Sequence, residues 1–496
     1  MMQSNPFVMQ NIRNSTAILA VVACWHLIAW TLVFTLSLPT PNFDIMEASN
    51  WAHHWQWGYQ KHPPLYAWIT EFLLQAGGRN LWVIYLAIQL LVVSCLWTVW
   101  KLSRCFLDAQ AALLGMLLLE TIPFYSVFGR NLNGDSVLLA LWVLALLFLW
   151  RALTSDRNAR WLFFGISIGL GFLAKYTIVF LLFPITVFLL FHPAARRCFR
   201  KPGPYLALGI AAAIALPHLI WMLDHDFITI HYALGRAGNQ AGFIGHVLHP
   251  VLFFRDQVLL LPMLLAAAIL VARPLRFIPL TNSTHFSRWF LFTAALGPLL
   301  TLLAISAVFG FKLRQLWEMP MWSMTGALIF TSFKLTLTPK RISSFVCVVA
   351  VVSILMMAGT VAARFTPQLL SLKPSDRFYP AKDIAETLGS VWRARYAFPL
   401  PVVAGSMKPT HSTGFFLKDR PDVYIDLDPK ISPWTGDEDF KRRGGIIVFD
   451  ESSTADFAEL RKRFPNLMLQ PAVSVPWLCG IGARPVQLRV ALVPPS

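Results

Sequence analysis

Between Ile18 and Ala363 the chain repeats one pattern, a run of about 20 apolar residues followed by a polar connection. A helix of that length crosses a hydrocarbon core ~30 Å thick. Backbone amides in lipid find no water, so only helices or a closed barrel can span, and these runs are too long for barrel strands. They fall at 16–37, 80–100, 109–128, 134–153, 161–174, 177–192, 205–223, 257–272, 289–309, 318–333 and 342–363. A polytopic α-helical membrane protein with about eleven spans is therefore expected. The runs flanking Lys175 could join, but the single helix would be about 48 Å long. It would also carry a costly lysine at its centre. A break at Lys175 is predicted.

Two stretches depart from the pattern. Residues 39–79 form a long connection rich in Trp, His and acidic residues. Trp51, Trp55, Ile69, Phe72 and Leu73 there predict the apolar faces of short helices lying in the membrane interface. From Arg364 to Ser496 the composition becomes that of a soluble protein. Ile384, Leu388 and Val391 recur at helical spacing between Ala381 and Tyr396. Short apolar runs at Pro401–Ala404, Val423–Ile425, Ile446–Phe449 and Val486–Val493 predict strands. The expected division is a membrane domain over 1–363 and a small α/β domain over 364–496.

Composition supports the membrane reading: 56% of residues are hydrophobic and 14% charged, against roughly 45–50% and 25% in soluble domains. The net charge of +17 changes the picture only through its placement. Basic residues concentrate in alternate short connections, which places the N-terminus in the cytoplasm and residues 39–79 and the tail on the opposite face. Charge so placed orients a chain and implies no nucleic-acid partner. No small-residue cleavage site precedes Pro39, so the first span reads as an uncleaved anchor. The cysteines show no disulfide framework and no CxxC spacing.

The candidate chemistry lies on the non-cytoplasmic side. Asp44 and Glu47 follow the first span, and Asp135 opens the fourth within Asn131-Leu132-Asn133-Gly134-Asp135. A carboxylate at such a boundary can be a general base, a metal ligand or a helix cap, and capping is the bland alternative for Asp135. The segment Gly58-Tyr59-Gln60-Lys61-His62-Pro63-Pro64-Leu65-Tyr66-Ala67-Trp68 places a cation at the interface ahead of a Pro-initiated helix. A cation there suits an anionic lipid phosphate, or snorkels to headgroups. Lys175, Arg236, Arg255, Lys312 and Arg314 are further basic residues of this face. Individually they read as loop charges; together they could form a positive basin. His53, His54, His225, His231, His246 and His249 could with the acids ligate a divalent metal, but they lack tight ligand spacing, so no cofactor is expected.

The acids, followed by Gly-Tyr-x-x-His-Pro-Pro-Leu-x-x-Trp, resemble bacterial family 39 glycosyltransferases. These have the type C membrane fold and are related to protein O-mannosyltransferases and lipid A aminoarabinose transferase. Asn131-x-Asn133-x-Asp135, Lys175-Tyr176-Thr177 and Pro217-His218-Leu219-Ile220-Trp221 extend the resemblance. Two departures stand out: two residues separate Asp44 from Glu47, and His62 stands where the aminoarabinose branch has lysine. The resemblance implies transfer of a sugar from a polyprenyl-phosphate donor to an envelope acceptor such as lipid A or lipopolysaccharide core, at the bacterial inner membrane. Asp44 is then expected to be the base of an inverting displacement, with Asp135 orienting the acceptor or supporting Asp44 and Glu47 a second candidate. Lys61, His62, Lys175, Arg236 and Arg314 are expected to hold the donor phosphate. The alternative is a multi-span transporter, in which acids and a central lysine serve a proton relay. No internal repeat of the kind many transporters carry is evident.

Overall fold

A backbone shielded from water must close its own hydrogen bonds, and helices do so within one segment. The computed structural model describes residues 6–155, 157–238, 242–279, 281–366, 375–451, 453–479 and 484–496. Its helices are, in order, α1 (Pro6–Ser37), α2 (Phe43–Ala52), α3 (Leu65–Ala76), α4 (Leu81–Ser103), α5 (Ala109–Leu117), α6 (Gly134–Leu153), α7 (Asn158–Ala174) and α8 (Val179–Phe191). There follow α9 (Gly203–Asp224), α10 (Ile228–Ala237), α11 (Gly245–Val258), α12 (Pro262–Ala272), α13 (Asn282–Phe309), α14 (Thr325–Ser332) and α15 (Pro339–Ala362). The tail adds α16 (Ala381–Arg393), α17 (Met407–Phe416), α18 (Asp437–Arg443) and α19 (Phe457–Arg463).

The chain is a polytopic helical membrane protein. Among the described residues six helices are long and apolar enough to cross a bilayer: Ser15–Ser37, Leu81–Ser103, Gly134–Leu153, Gly203–Asp224, His285–Phe309 and Pro339–Ala362. Large apolar side chains such as Val21, Phe183, Leu208 and Leu355 stay exposed on these and neighbouring helices. Lipid tails are as apolar as leucine, so such faces cost nothing there.

Other apolar runs are built differently from expectation. The 109–128 run is a short α5 followed by a 3₁₀ turn over Leu118–Thr121. The 257–272 run belongs to a pair, Gly242–Val258 and Pro262–Ala272, bent by 55°; Pro262 opens the second half, where proline is at home. The 318–333 run is a 3₁₀ stretch over Gln315–Met324 followed by the eight residues of α14. The break at Lys175 occurs as predicted: α7 ends at Ala174, Lys175 is extended, and α8 begins at Val179.

The chain divides into two compact units. The first holds Met1–Val33, Lys61–Leu65 and Ile84–Gly359. In it α7 packs between α6 and α9, over a core that includes Trp100, Trp142, Leu146 and Phe290. The second holds Phe34–Gln60, Tyr66–Val83 and Thr360–Ser496. It therefore joins most of the first long connection to the tail.

Within the second unit the tail is an α/β sheet. Strands β1 (Val402–Gly405), β2 (Asp422–Ile425), β3 (Gly445–Asp450), β4 (Met468–Leu469), β5 (Val473–Val475) and β6 (Val486–Val493) run in the order β2-β1-β3-β6-β4, with β5 also on β6. β1 lies parallel to β2 and β3, while β3 and β6 are antiparallel. Helix α16 buries Ile384, Ala385, Leu388 and Trp392; Val391, expected on the same stripe, is only half-buried. Trp51 overturns part of the interface expectation. It is buried, stacked on Tyr59 with centroids 5.3 Å apart and edge-on to Tyr66 at 6.5 Å. Trp55, beyond the end of α2, and Phe72, on α3, are exposed.

Candidate functional site

In the first unit the sequence motifs converge on the break at Lys175. Gly134 opens α6, and a Cβ there would lie 2.6 Å from the Ala174 carbonyl oxygen. Only glycine lets the start of α6 sit against the end of α7. That approach brings Asp135 to Lys175, whose Nζ donates to Oδ1 at 2.6 Å and to Oδ2 at 2.5 Å, both side chains largely buried. Asp135 is not the cap of α6. Asn133 caps it, accepting from the amides of Asp135 and Ser136, while Ser136 closes the capping box on the Asn133 amide. The Asp135 carboxylate is thus directed at a cation.

The residue after Lys175 anchors the turn. The Tyr176 hydroxyl lies 2.7 Å from Nε2 of buried His218 and 2.8 Å from Oγ1 of Thr229. This explains why the Lys175-Tyr176 and Pro217-His218 motifs occur together: one fixes the other.

Around Lys175 other basic residues gather. The Tyr232 ring carries Lys61 Nζ 5.8 Å from its centroid and the Arg236 guanidinium at 5.9 Å, with the His62 ring edge-on at 6.1 Å. Burial and then the charges of Lys175, Lys61 and Arg236 push the His62 pKa down to about 3. His62 is therefore neutral at neutral pH, a hydrogen-bonding group inside a ring of cations. Arg314 is exposed, and among the described residues its side chain makes no hydrogen bond or ring contact with this group. The structure thus brings Lys61, His62, Lys175, Arg236 and Asp135 together, while Arg314 stands exposed two residues after Lys312, whose amide donates to the Ala237 carbonyl at 3.1 Å.

Asp44 and Glu47 stand on α2, in the second unit. Asn42 caps α2, its side-chain oxygen accepting from the Asp44 amide at 3.0 Å. Asp44 lies in the first turn, where the helix dipole favours a carboxylate. Every α2 residue from Ile45 to Ala52 is buried. The neighbouring charges are paired. Glu71 on α3, wholly buried, accepts from Arg420 at 2.6 Å, Ser49 at 2.8 Å and Gln75 at 2.9 Å. Burial alone would raise its pKa; the three hydrogen bonds outweigh that and hold it below the usual range. Asp422 behaves alike: burial opposes its charge, but His54 at 2.9 Å and Arg443 at 2.7 Å lower its pKa.

Most of the scattered histidines find protein partners. Nδ1 of His225, His246 and His249 each lies 2.8 Å from a backbone carbonyl, those of Trp221, Ala307 and Gly310. Among the described residues no group of three or more His, Cys, Asp or Glu is arranged to hold a metal ion.

Sequence reasoning missed two features. Tyr232 had no local signal beyond its i,i+4 spacing to Arg236. The second is a buried network in the first unit, where His26 Nδ1 lies 3.0 Å from Glu120 and Nε2 lies 3.1 Å from Gln89, which donates to the Gly129 carbonyl at 2.8 Å. An ionisable residue inside an apolar run was the available sign.

Comparison with known proteins agrees with this architecture. The family described as dolichyl-phosphate-mannose-protein mannosyltransferase matches residues 61–221, a stretch that contains Lys61, His62, Asp135, Lys175 and His218. The lipid A galacturonosyltransferase RgtD of Rhizobium johnstonii is 28% identical over 41% of this chain and 43% of its own. The lipopolysaccharide core galacturonosyltransferase RgtA of the same organism is 28% identical over 38% of this chain and 39% of its own. The chain thus spans about two fifths of the length of these curated relatives. The crystal structure of ArnT from Cupriavidus metallidurans bound to undecaprenyl phosphate superposes with a TM-score of 0.58 at 16% identity, covering 97% of this chain and 98% of that one. The chain therefore has the type C membrane glycosyltransferase fold, with residues 61–221 matching the mannosyltransferase family.

Proposed function

We propose that this protein is a glycosyltransferase that takes a sugar from a polyprenyl-phosphate donor and attaches it to lipid A or lipopolysaccharide core. The observation that carries the reading is the convergence of Lys175, Lys61 and Arg236 on a His62 held neutral. Cations packed together in a poorly hydrated pocket repel one another, and an anionic ligand relieves that cost. A phosphate ester is such a ligand. When the bond between sugar and phosphate breaks, negative charge grows on the phosphate, and preorganised cations stabilise it better than water does. His62, uncharged, supplies a hydrogen bond to a phosphate oxygen without adding to the repulsion. Asp135 holds the Lys175 ammonium in place, a role that replaces acceptor orientation as the reading its geometry favours.

Asp44 takes the proton of the acceptor hydroxyl as that oxygen attacks the anomeric carbon. Glu47, one helical turn away, is the second candidate. Direct displacement inverts the anomeric centre. The transferred sugar is galacturonic acid, a choice supported by the names of the relatives. The site faces the periplasm from the inner membrane, as the distribution of basic residues among the connections favours.

The experiment is a deletion strain and its complement, with mass spectrometry of lipid A and core oligosaccharide, followed by transfer with purified protein and polyprenyl-phosphate galacturonic acid. Loss of a uronic-acid increment in the deletion, restored by purified enzyme, is expected. Unchanged glycolipids together with altered export of a small solute would instead favour a transporter.

A further inference from the structure

Within the second unit, α2 is packed against a helix of the tail, α17. The contact is close because residue 414 is glycine: a Cβ there would lie 2.6 Å from Asn50 Oδ1 and 2.7 Å from Val423 Cγ1. At its centre three polar side chains are almost wholly buried, Glu47 at 3% exposure, Asn50 at 5% and His411 at 1%. The edge of the His411 ring also meets Phe43 at 5.3 Å.

The hydrogen bonds fix the orientation of this group. Asn50 Nδ2 lies 2.9 Å from the His411 carbonyl oxygen, an acceptor only, so that atom is the amide nitrogen. The same nitrogen lies 3.1 Å from His411 Nδ1, which must then accept. The ring proton is left on Nε2, and Nε2 lies 3.6 Å from Glu47 Oε1.

We propose that His411, supplied by the C-terminal α/β domain, is a positioning residue for sugar transfer: its Nε2–H faces the Glu47 carboxylate at 3.6 Å, longer than a hydrogen bond, and its dipole orients that carboxylate on α2, one turn from Asp44. The tail is then a working part of the catalytic apparatus. This rests on the reading of α2 as the acid-bearing element.

The test uses the purified full chain with polyprenyl-phosphate galacturonic acid and lipid A. His411→Phe keeps a ring against Phe43 but has no nitrogen; His411→Gln keeps an N–H that can reach Glu47. His411→Phe is expected to lower kcat roughly tenfold or more with the donor KM unchanged, and His411→Gln to recover most of that loss. Because both act through one pair, His411→Phe combined with Glu47→Gln should be no worse than the worse single variant. Three results would overturn the proposal: wild-type kcat in folded His411→Phe protein, equal losses in the Phe and Gln variants, or fully additive losses in the double variant. Should His411→Phe fail to fold, His411→Gln decides: near-normal kcat supports the proton-donor role and a large loss refutes it. Normal turnover by both Asp44→Asn and Glu47→Gln would refute the underlying reading of α2 as well. Wild-type kcat in folded His411→Phe protein, with Asp44→Asn inactive, would refute this proposal alone.

Discussion

The two units balance charge differently. In the first, three cations, Lys175, Lys61 and Arg236, act on His62, and one acid, Asp135, pairs with Lys175. In the second, buried acids meet their counter-charges: Glu71 with Arg420, and Asp422 with Arg443 and His54. Like charges packed together weaken a fold, whereas paired ones help define it once buried. A cluster that costs stability persists where it serves a ligand, so the first arrangement reads as a site and the second as a scaffold.

The largest expected effect lies on α2. Asp44→Asn should leave the protein folded and inserted while lowering transfer roughly 10²–10⁴-fold, measured with purified enzyme. Near-normal turnover would remove Asp44 from the role of base.

Next come the scaffold pairs. Arg420→Ala strands the Glu71 carboxylate in a buried site, and should cost roughly 3–5 kcal/mol, read as a lowered thermal midpoint. Lys61→Ala removes one of three neighbouring like charges and should lower it much less. Equal losses in the two variants would erase the contrast between the units.

Acid separates the units further. His62 binds a proton in the unfolded chain near pH 6.5 but in the folded protein only near 3. The unfolded state takes up more protons in that window, so the first unit loses stability as pH falls from about 6.5 towards 3. Glu71 and Asp422 have lowered folded pKa values. Their contribution is complete above the ordinary carboxylate range and is lost below about pH 4. His62→Asn should therefore flatten the stability loss between about pH 6 and 4 without altering the loss below it. The smallest effect is Asn133→Ala, about 1 kcal/mol for the lost cap.

Much of this was legible along the chain, because local pattern carries local structure. The strands at 402–405, 422–425, 445–450 and 486–493 follow the apolar runs, and α7 ends where a lysine interrupts them. The Lys175–Asp135 pair was half legible: both residues were singled out, but Asp135 looked like a cap until Asn133 proved to fill that place. What stayed hidden depends on contacts between distant segments. Nothing near Glu71 foretells Arg420, and nothing near Asn50 foretells His411. Trp51 looked interfacial because its indole suits a membrane boundary, yet Tyr59 and Tyr66 enclose it. The run at 318–333 had the composition of a span, but hydropathy cannot tell a 3₁₀ stretch from an α-helix.

The site reading depends most on the basic cluster of the first unit binding a lipid phosphate. The direct measurement is the affinity of purified protein for undecaprenyl phosphate, by thermal shift and titration, in the wild type and in Lys61→Ala and Arg236→Ala. The phosphate should raise the midpoint of the wild type and bind each variant roughly tenfold or more weakly, as loss of a charge-assisted contact of 1.5–3 kcal/mol requires. Equal affinity and equal shift in all three proteins would contradict the account.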